Sequence, residues 1–322
     1  LIWQFPMSRM MRFRTYDEVD PRAVANLALA GFGWNLDAYS VRKLRRQDKN
    51  CPDWFAMYAV DDEDVIGQVG AAYPTIQTAE GPMKLGYIWG VTTQPDKTQK
   101  GVARKLMERV HEQMREDGAG IFALSTMRSL VAHGLYVSLG YHHVQPYGWN
   151  QRPIRKYKRE GIRVNIRKRS TTQMFELYRT FSKGAFGFVH RHPKFVETRC
   201  LWFPYISEIN VFTRDDEPLG YALVLSGKRG VVIREIFCPI SSNIPGCVRA
   251  IENRYQRRNI TCLSHSRDDV IKALGSVDLA PERPSFGVLM MRMPKGRSSE
   301  KSIKKLVGKD RGRFQFTATD EY

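Results

Sequence analysis

The segment Gly90-Val91-Thr92-Thr93-Gln94-Pro95-Asp96-Lys97-Thr98-Gln99-Lys100-Gly101-Val102-Ala103-Arg104 holds the residues whose types and order best suit chemistry. A strand ends, a short polar loop follows, and the small residues Gly101 and Ala103 open a helix. Small side chains let a ligand approach the backbone. The free N–H groups of a first helical turn, with the helix dipole behind them, suit a pyrophosphate. Lys97, Lys100, Arg104 and Lys105 add charge for further phosphates. A second candidate group lies 35 residues beyond Gly101: Tyr136, with His133 three residues earlier on the same helical face, a spacing that allows a proton relay through water. Trp34, Tyr87 and Trp89 are candidates to line an acceptor pocket, although aromatics at such spacings also build cores. The general base is not readable.

The elements that must position these groups follow from periodicity. Val102, Leu106, Val110 and Met114 recur every four residues and predict a helix over Gly101–Asp117. A second helix is predicted over Leu130–Leu139, with Val131, Leu135 and Leu139 as its core stripe and Tyr136 beside it. Lys84–Thr93 reads as the strand leading into the loop, and Asp61–Asp64 as a solvated hairpin turn. The chain also repeats itself. Phe32-Gly33-Trp34 returns as Phe186-Gly187-Phe188 and Asp61-Asp62-Glu63 as Asp215-Asp216-Glu217, both 154 residues later. Gly101-Val102-Ala103-Arg104 resembles Gly246-Cys247-Val248-Arg249, and Ser138-Leu139-Gly140 resembles Ala273-Leu274-Gly275. Similar pieces in the same order argue for a duplicated unit of about 150 residues. Each unit reads as strand, helix, a run of strands, helix, strand, helix, strand. The expected class is α/β, a mixed sheet with helices on both faces.

Composition narrows the function classes. Hydrophobic residues make up 42 % of 322, enough for packed cores, and no run approaches the ~18 apolar residues of a membrane helix. Five cysteines without a C-x-x-C pair exclude a disulfide scaffold and a zinc ribbon, so no metal is expected and a reducing cytoplasm is the expected location. Leu1–Pro6 reads as a remnant ahead of Met7. The net charge of +18 is uneven: residues 1–150 carry 17 basic and 16 acidic side chains, whereas residues 151–322 carry 34 and 17. Nine of the nineteen residues in Gln151–Arg169 are basic, and a second cluster spans Lys295–Arg313. Such a half invites an anionic partner, nucleic acid or an acidic protein.

The loop and the tyrosine together resemble the GNAT superfamily of acetyl-CoA-dependent N-acyltransferases, whose motif A reads Q/R-x-x-G-x-G/A after a strand ending in V-x-x-x-P. The resemblance implies that Val91, Thr92 and Thr93 hold the pantetheine arm through their backbone. It gives the pyrophosphate to Gln99, Lys100, Gly101, Val102, Ala103 and Arg104. Thr98 stands where the family has Gln or Arg. Tyr136-Val137-Ser138-Leu139-Gly140-Tyr141 is similar to the Y-x-x-x-G-F/Y segment that closes such domains, and implies Tyr136 as the acid for the departing CoA thiolate. A phenol of pKa about 10 can protonate a thiolate whose conjugate acid lies near about 8.5 if the proton moves as the thiolate forms. In the second copy Val248 replaces the second small residue and Ile271 the tyrosine, so that copy reads as a degenerate GNAT-like domain. The tandem layout resembles the enhanced-intracellular-survival-type and mycothiol-synthase-type acetyltransferases. The expected organisation is a catalytic domain over 7–158, a degenerate one over 159–294 and a basic tail over 295–322. The implied activity is acetyl transfer from acetyl-CoA to a primary amine by direct attack. The competing expectation is a non-catalytic GNAT-like module holding RNA or an acidic protein.

Overall fold

The computed structural model describes residues 11–158, 161–167, 171–202, 208–228, 230–263, 265, 267–281, 286–294, 296, 298–317 and 320–322. Leu1–Pro6 and Met7 lie outside them. Contacts divide the chain into two units: residues up to 74, 84–124 and 322 in the first, and 75–83 with 125–321 in the second.

In the first unit, strand β1 (Arg12–Thr15) leads to helix α1 (Pro21–Phe32), which starts where Asp20 accepts from the Arg22 amide and Pro21 fixes the first turn. Helix α2 (Ala38–Gln47) starts in the same way on Asp37, which accepts from the Ser40 amide. Strands β2 (Ala56–Asp61) and β3 (Asp64–Ala72) form a hairpin, its turn at Asp62 and Glu63 as expected from the acidic run. The short β4 (Thr75–Thr78) belongs to the second unit, and β5 (Gly81–Thr93) crosses the division. Helix α3 (Val102–Glu116) and strand β6 (Ile121–Met127) follow. The sheet order here is β1-β2-β3-β5-β6, antiparallel except for the parallel β5–β6 pair. Val102, Leu106, Val110 and Met114 are all buried, as the four-residue spacing requires. Each such burial contributes about 1.5–3 kcal/mol.

The second unit, which also takes the end of β6, continues with helix α4 (Val131–Ser138) and strand β7 (His142–Tyr147). Then come β8 (Trp149–Pro153), β9 (Arg163–Arg167), α5 (Thr172–Ser182), α6 (Phe195–Trp202), β10 (Glu208–Arg214), β11 (Glu217–Ser226) and β12 (Gly230–Phe237). The unit closes with α7 (Ile244–Tyr255), β13 (Asn259–Leu263), α8 (Asp268–Gly275), β14 (Gly287–Arg292) and α9 (Glu300–Leu306). The run from β9 to α8 repeats the order of β1, α1, α2, β2, β3, β5, α3, β6 and α4, which is the duplication read from the sequence. Two separate mixed sheets result, in the α/β class expected for a duplicated unit. The six-stranded sheet runs β8-β13-β12-β11-β10-β9, with β12 and β13 parallel and a core that includes Phe212, Val224, Phe237, Val248 and Leu274.

Two features depart from a reading by chain position. Strand β8 lies within 7–158 yet pairs with β13, and β14 lies within 159–294 yet pairs antiparallel with β7. A strand joins the edge that completes its hydrogen bonds, which sequence order does not fix. Residues 295–322, expected as a basic tail, include α9 and bury Phe314 and Phe316 completely. Gln315 between them is buried too, its side chain donating to the Ser182 hydroxyl at 3.1 Å. Gln315 donates its amide hydrogen to the Phe186 carbonyl, and Phe186 donates to that of Arg313. Beyond it Arg191, 3 % exposed, makes two 2.8 Å bonds to Glu235 and one of 2.8 Å to Asp320, with its guanidinium over the Tyr178 and Phe195 rings.

Candidate active site

Strand β5 carries the first part of the site. Its parallel ladder to β6 joins Leu85, Gly86 and Tyr87 to Ile121, Phe122 and Ala123 and goes no further. Beyond Tyr87 the backbone groups of that edge are left by β6, as a ligand adding itself alongside requires. The opposite ladder to β3 contains a bulge: Gln68 faces Thr92 and Gly70 faces Trp89, so two residues, Gly90 and Val91, stand against Val69 alone. Gly90 sits at φ 59, a left-handed conformation in mid-strand that glycine adopts without cost. The bulge re-aims the backbone where Val91, Thr92 and Thr93 begin, all half-buried.

The loop after β5 is tied down by Gln94, whose amide hydrogen goes to the Ile66 carbonyl and whose side chain donates to that of Val65. Lys97, expected to face phosphate, is instead 3.0 Å from Asp61, which raises its pKa. Thr98 turns its hydroxyl onto the Pro95 carbonyl at 2.9 Å, so its side chain serves the loop. Gln99 at φ 61 and Gly101 at φ 79 are both left-handed. Gly101 caps α3 without a side-chain bond, no acidic residue stands in the first turn, and a Cβ at 101 would meet nothing within 4 Å. An uncapped helix N-terminus with open space before it and Lys100, Arg104 and Lys105 around it presents backbone N–H groups to an anion.

The aromatic candidates part company. Trp34 is half-buried on the α1–α2 connection, stacked on Phe32 at 4.3 Å, and its ring edge would lie 3.5 Å from a Cβ on Gly90. Tyr87 and Trp89 are core residues, 1 % and 3 % exposed. Trp89 covers Gly70 so closely that any Cβ there would come within 2.2 Å, and the Tyr87 ring lies 5.8 Å from that of Tyr322. Gln68 went unnoticed in the sequence. It is fully buried beside Gly90, and neither end of its amide has a partner among the described residues. The only sequence signal for this corner is a glycine inside a strand pattern.

Tyr136 and His133 belong to the second unit. Tyr136 is the one buried residue of α4, its ring 6.1 Å from that of Tyr141, and burial raises its pKa. Burial thus makes the phenol a weaker acid than an exposed one. The expected stripe of α4 is corrected: Val131 is 92 % exposed, and Leu135 and Leu139 are half-buried. Two turns are too few for an apolar spacing to define the buried face of a helix. His133 Nε2 lies 2.8 Å from His143 Nε2, so the two rings share one proton in that contact. Burial, Arg128 and His133 together lower the His143 pKa.

In the duplicate, Gly246 is buried inside α7, which starts at Ile244 with Pro245 in its first turn. No left-handed glycine precedes it, and the thiols of Cys238 and Cys247, both fully buried, lie 3.7 Å apart there. The counterpart of the loop is packed shut. Among the described residues no group of three His, Cys, Asp or Glu side chains is placed to hold a metal ion, and no helix is long and apolar enough to cross a membrane.

Residues 12–144 match the family model described as an acetyltransferase (GNAT) domain. The chain is similar in fold to a GCN5-related N-acetyltransferase from Anabaena variabilis ATCC 29413, with TM-score 0.68, 14 % identity, and 89 % of this chain and 73 % of that one covered. Eis1 from Mycobacterium abscessus gives 0.58 and 13 %, covering 88 % and 74 %. Saccharomyces cerevisiae N-myristoyltransferase with bound myristoyl-CoA gives 0.59 and 8 %, covering 90 % and 84 %. No curated protein sequence matches.

Proposed function

We propose that the acetyltransferase (GNAT) domain at residues 12–144 transfers the acetyl group of acetyl-CoA to a primary amine by direct attack on the thioester. The catalytic domain is drawn over 7–158 and a degenerate one over 159–294. The observation that carries this reading is the uncapped start of α3 behind two left-handed residues, Gln99 and Gly101. In this proposal the N–H groups of Gly101, Val102, Ala103 and Arg104 take the pyrophosphate, with Gln99 and Lys100 shaping the turn. Val91, Thr92 and Thr93 hold the pantetheine arm through main-chain bonds.

The bulge at Gly90 supports a further role for that strand: a backbone N–H turned out of the ladder can meet the thioester oxygen as negative charge develops on it. Tyr136 is the proposed acid for the thiolate; because burial raises its pKa, its proton must move as the thiolate forms rather than beforehand. Trp34 is the aromatic proposed to meet an acceptor, a role that its half-buried ring beside Gly90 supports. Tyr87 and Trp89 serve it only by holding β5 in place. His133 retains a proposed relay role through the pair it makes with His143.

The test is calorimetric titration with acetyl-CoA, followed by an assay for free CoA across a panel of primary amines. Binding together with amine-dependent CoA release is the expected result. Absence of acetyl-CoA binding would remove the reading.

A further inference from the structure

The charge of the second half finds no use in the acetyl-transfer chemistry, yet it is concentrated. Helix α7 presents Gly246, Arg249, Ala250, Asn253 and Arg254 at spacings of three and four, which places them on one face. That face and the edge strand β9 border a groove of about 400 Å³. Among the described residues its polar lining is Lys158, Arg163, Arg249, Asn253, Arg254 and Gln256, four cations and two amides with no carboxylate.

Among the described residues no carboxylate pairs with Lys158 or Arg254. Arg163 lies 3.4 Å from Asp216, but both side chains are largely exposed and such a pair contributes little. Arg249 sits over the Tyr157 ring at 5.7 Å. Glu252, the acidic residue of the same helix, is buried and accepts from the Arg152 guanidinium and the Arg155 amide.

We propose that this groove binds the phosphate backbone of single-stranded RNA. Three of its four cations are arginines, whose planar forks match phosphate oxygens in pairs. Asn253, whose Oδ1 accepts from the Tyr157 amide, can offer its NH2 group, and Gln256, whose NH2 group donates to the Asn253 carbonyl, can offer its Oε1, a donor and an acceptor for sugar hydroxyls and base edges. An acidic protein would need a larger apolar centre than Ile162, Val164 and Ala250 provide. The site lies entirely within the second unit and does not depend on the acetyl-transfer reading.

The probe is a labelled oligouridylate of about 12 nucleotides, read by fluorescence anisotropy at about 50 and about 200 mM salt. Two variants carry the same change in net charge: Lys158→Glu with Arg254→Glu in the groove, and Lys301→Glu with Lys305→Glu on α9. Circular dichroism melts establish that both fold. The groove variant is expected to lose at least about tenfold in affinity, with a salt dependence shallower by about 1.4 in slope for two lost phosphate contacts. The α9 variant is expected to stay within about threefold. Equal losses in the two variants would overturn the proposal, because RNA would then be sensing only total charge. So would wild-type binding weaker than about 100 μM at the lower salt. Groove-dependent binding of poly-glutamate without binding of RNA would assign the groove to an acidic protein instead.

Discussion

Replacing Gly101 by glutamate separates the anion site from the stability of the fold. A side chain at φ 79 costs about 1–2 kcal/mol of backbone strain, but a Cβ there meets nothing within 4 Å, so no steric cost adds to it. The new carboxylate at an uncapped helix N-terminus returns about 0.3–1 kcal/mol through the helix dipole. Net destabilisation is therefore about 1 kcal/mol, a fall in melting temperature of a few degrees. The effect on ligand is much larger. At about 4 Å and an effective dielectric of about 20, each unit of phosphate charge meets about 4 kcal/mol of repulsion, enough for about a thousandfold loss of affinity. In wild type, acetyl-CoA at about a hundred times its dissociation constant adds about 2.7 kcal/mol of stability, or roughly 5–10 °C. Differential scanning fluorimetry with and without acetyl-CoA reads both quantities. Gly101→Glu should keep nearly all of its ligand-free melting temperature and lose the whole ligand shift. Gly101→Ala carries the strain without the charge and should retain most of the shift. A full shift in Gly101→Glu refutes the placement of the pyrophosphate before α3.

Tyr136→Phe should lower turnover by about 10²- to 10⁴-fold while leaving the acetyl-CoA dissociation constant unchanged, and unchanged turnover removes Tyr136 as acid. His265 is fully buried and accepts the Ile236 amide hydrogen at 3.2 Å, and burial pushes its pKa down to about 4. Below its unfolded pKa of about 6.5 the unfolded chain binds a proton that the folded chain does not, so stability falls as pH drops from about 6.5 to about 4, by about 3 kcal/mol in all. Denaturant titrations at pH 7 and 5 should show this slope in wild type and a shallower one in His265→Gln, which keeps an acceptor; equal slopes count against His265. Gln68→Met removes a buried amide with no partner among the described residues and should raise the denaturation midpoint by the equivalent of about 1 kcal/mol. A lowered midpoint would mean that the amide is satisfied in solution.

How much of this was legible in the sequence depends on the length of each pattern. Helix α3 has four turns, enough for Val102, Leu106, Val110 and Met114 to declare the buried face, and the loop before it is spelled by residues whose types its geometry demands. Helix α4 has two turns, and its apolar spacing named Val131, which is exposed, in place of Tyr136, which is buried. Tyr87 and Trp89 could have faced a pocket or a core. The choice turned on Gly70, across the ladder, whose missing side chain gives the Trp89 ring its place. The exchange of β8 and β14 has no local signature, because pairing at a sheet edge depends on which backbone groups elsewhere remain unpaired. Gln68 carries no mark at all: a polar residue in a strand ordinarily reads as facing solvent.

The buried cluster of Arg191, Glu235, Thr317 and Asp320 bears on how the protein is made. Asp320 follows Arg191 by 129 residues, so at about 5–20 residues per second a ribosome delivers it roughly 6–26 s after the arginine. For that interval the guanidinium has Glu235 at most for company, and Phe314 and Phe316 are not yet present to fill their places. The fold of the second half thus waits on Phe314, Phe316 and Asp320 to close. A nascent chain stalled short of Phe314 should be open to proteases across β12 and α5, whereas the released protein should resist them.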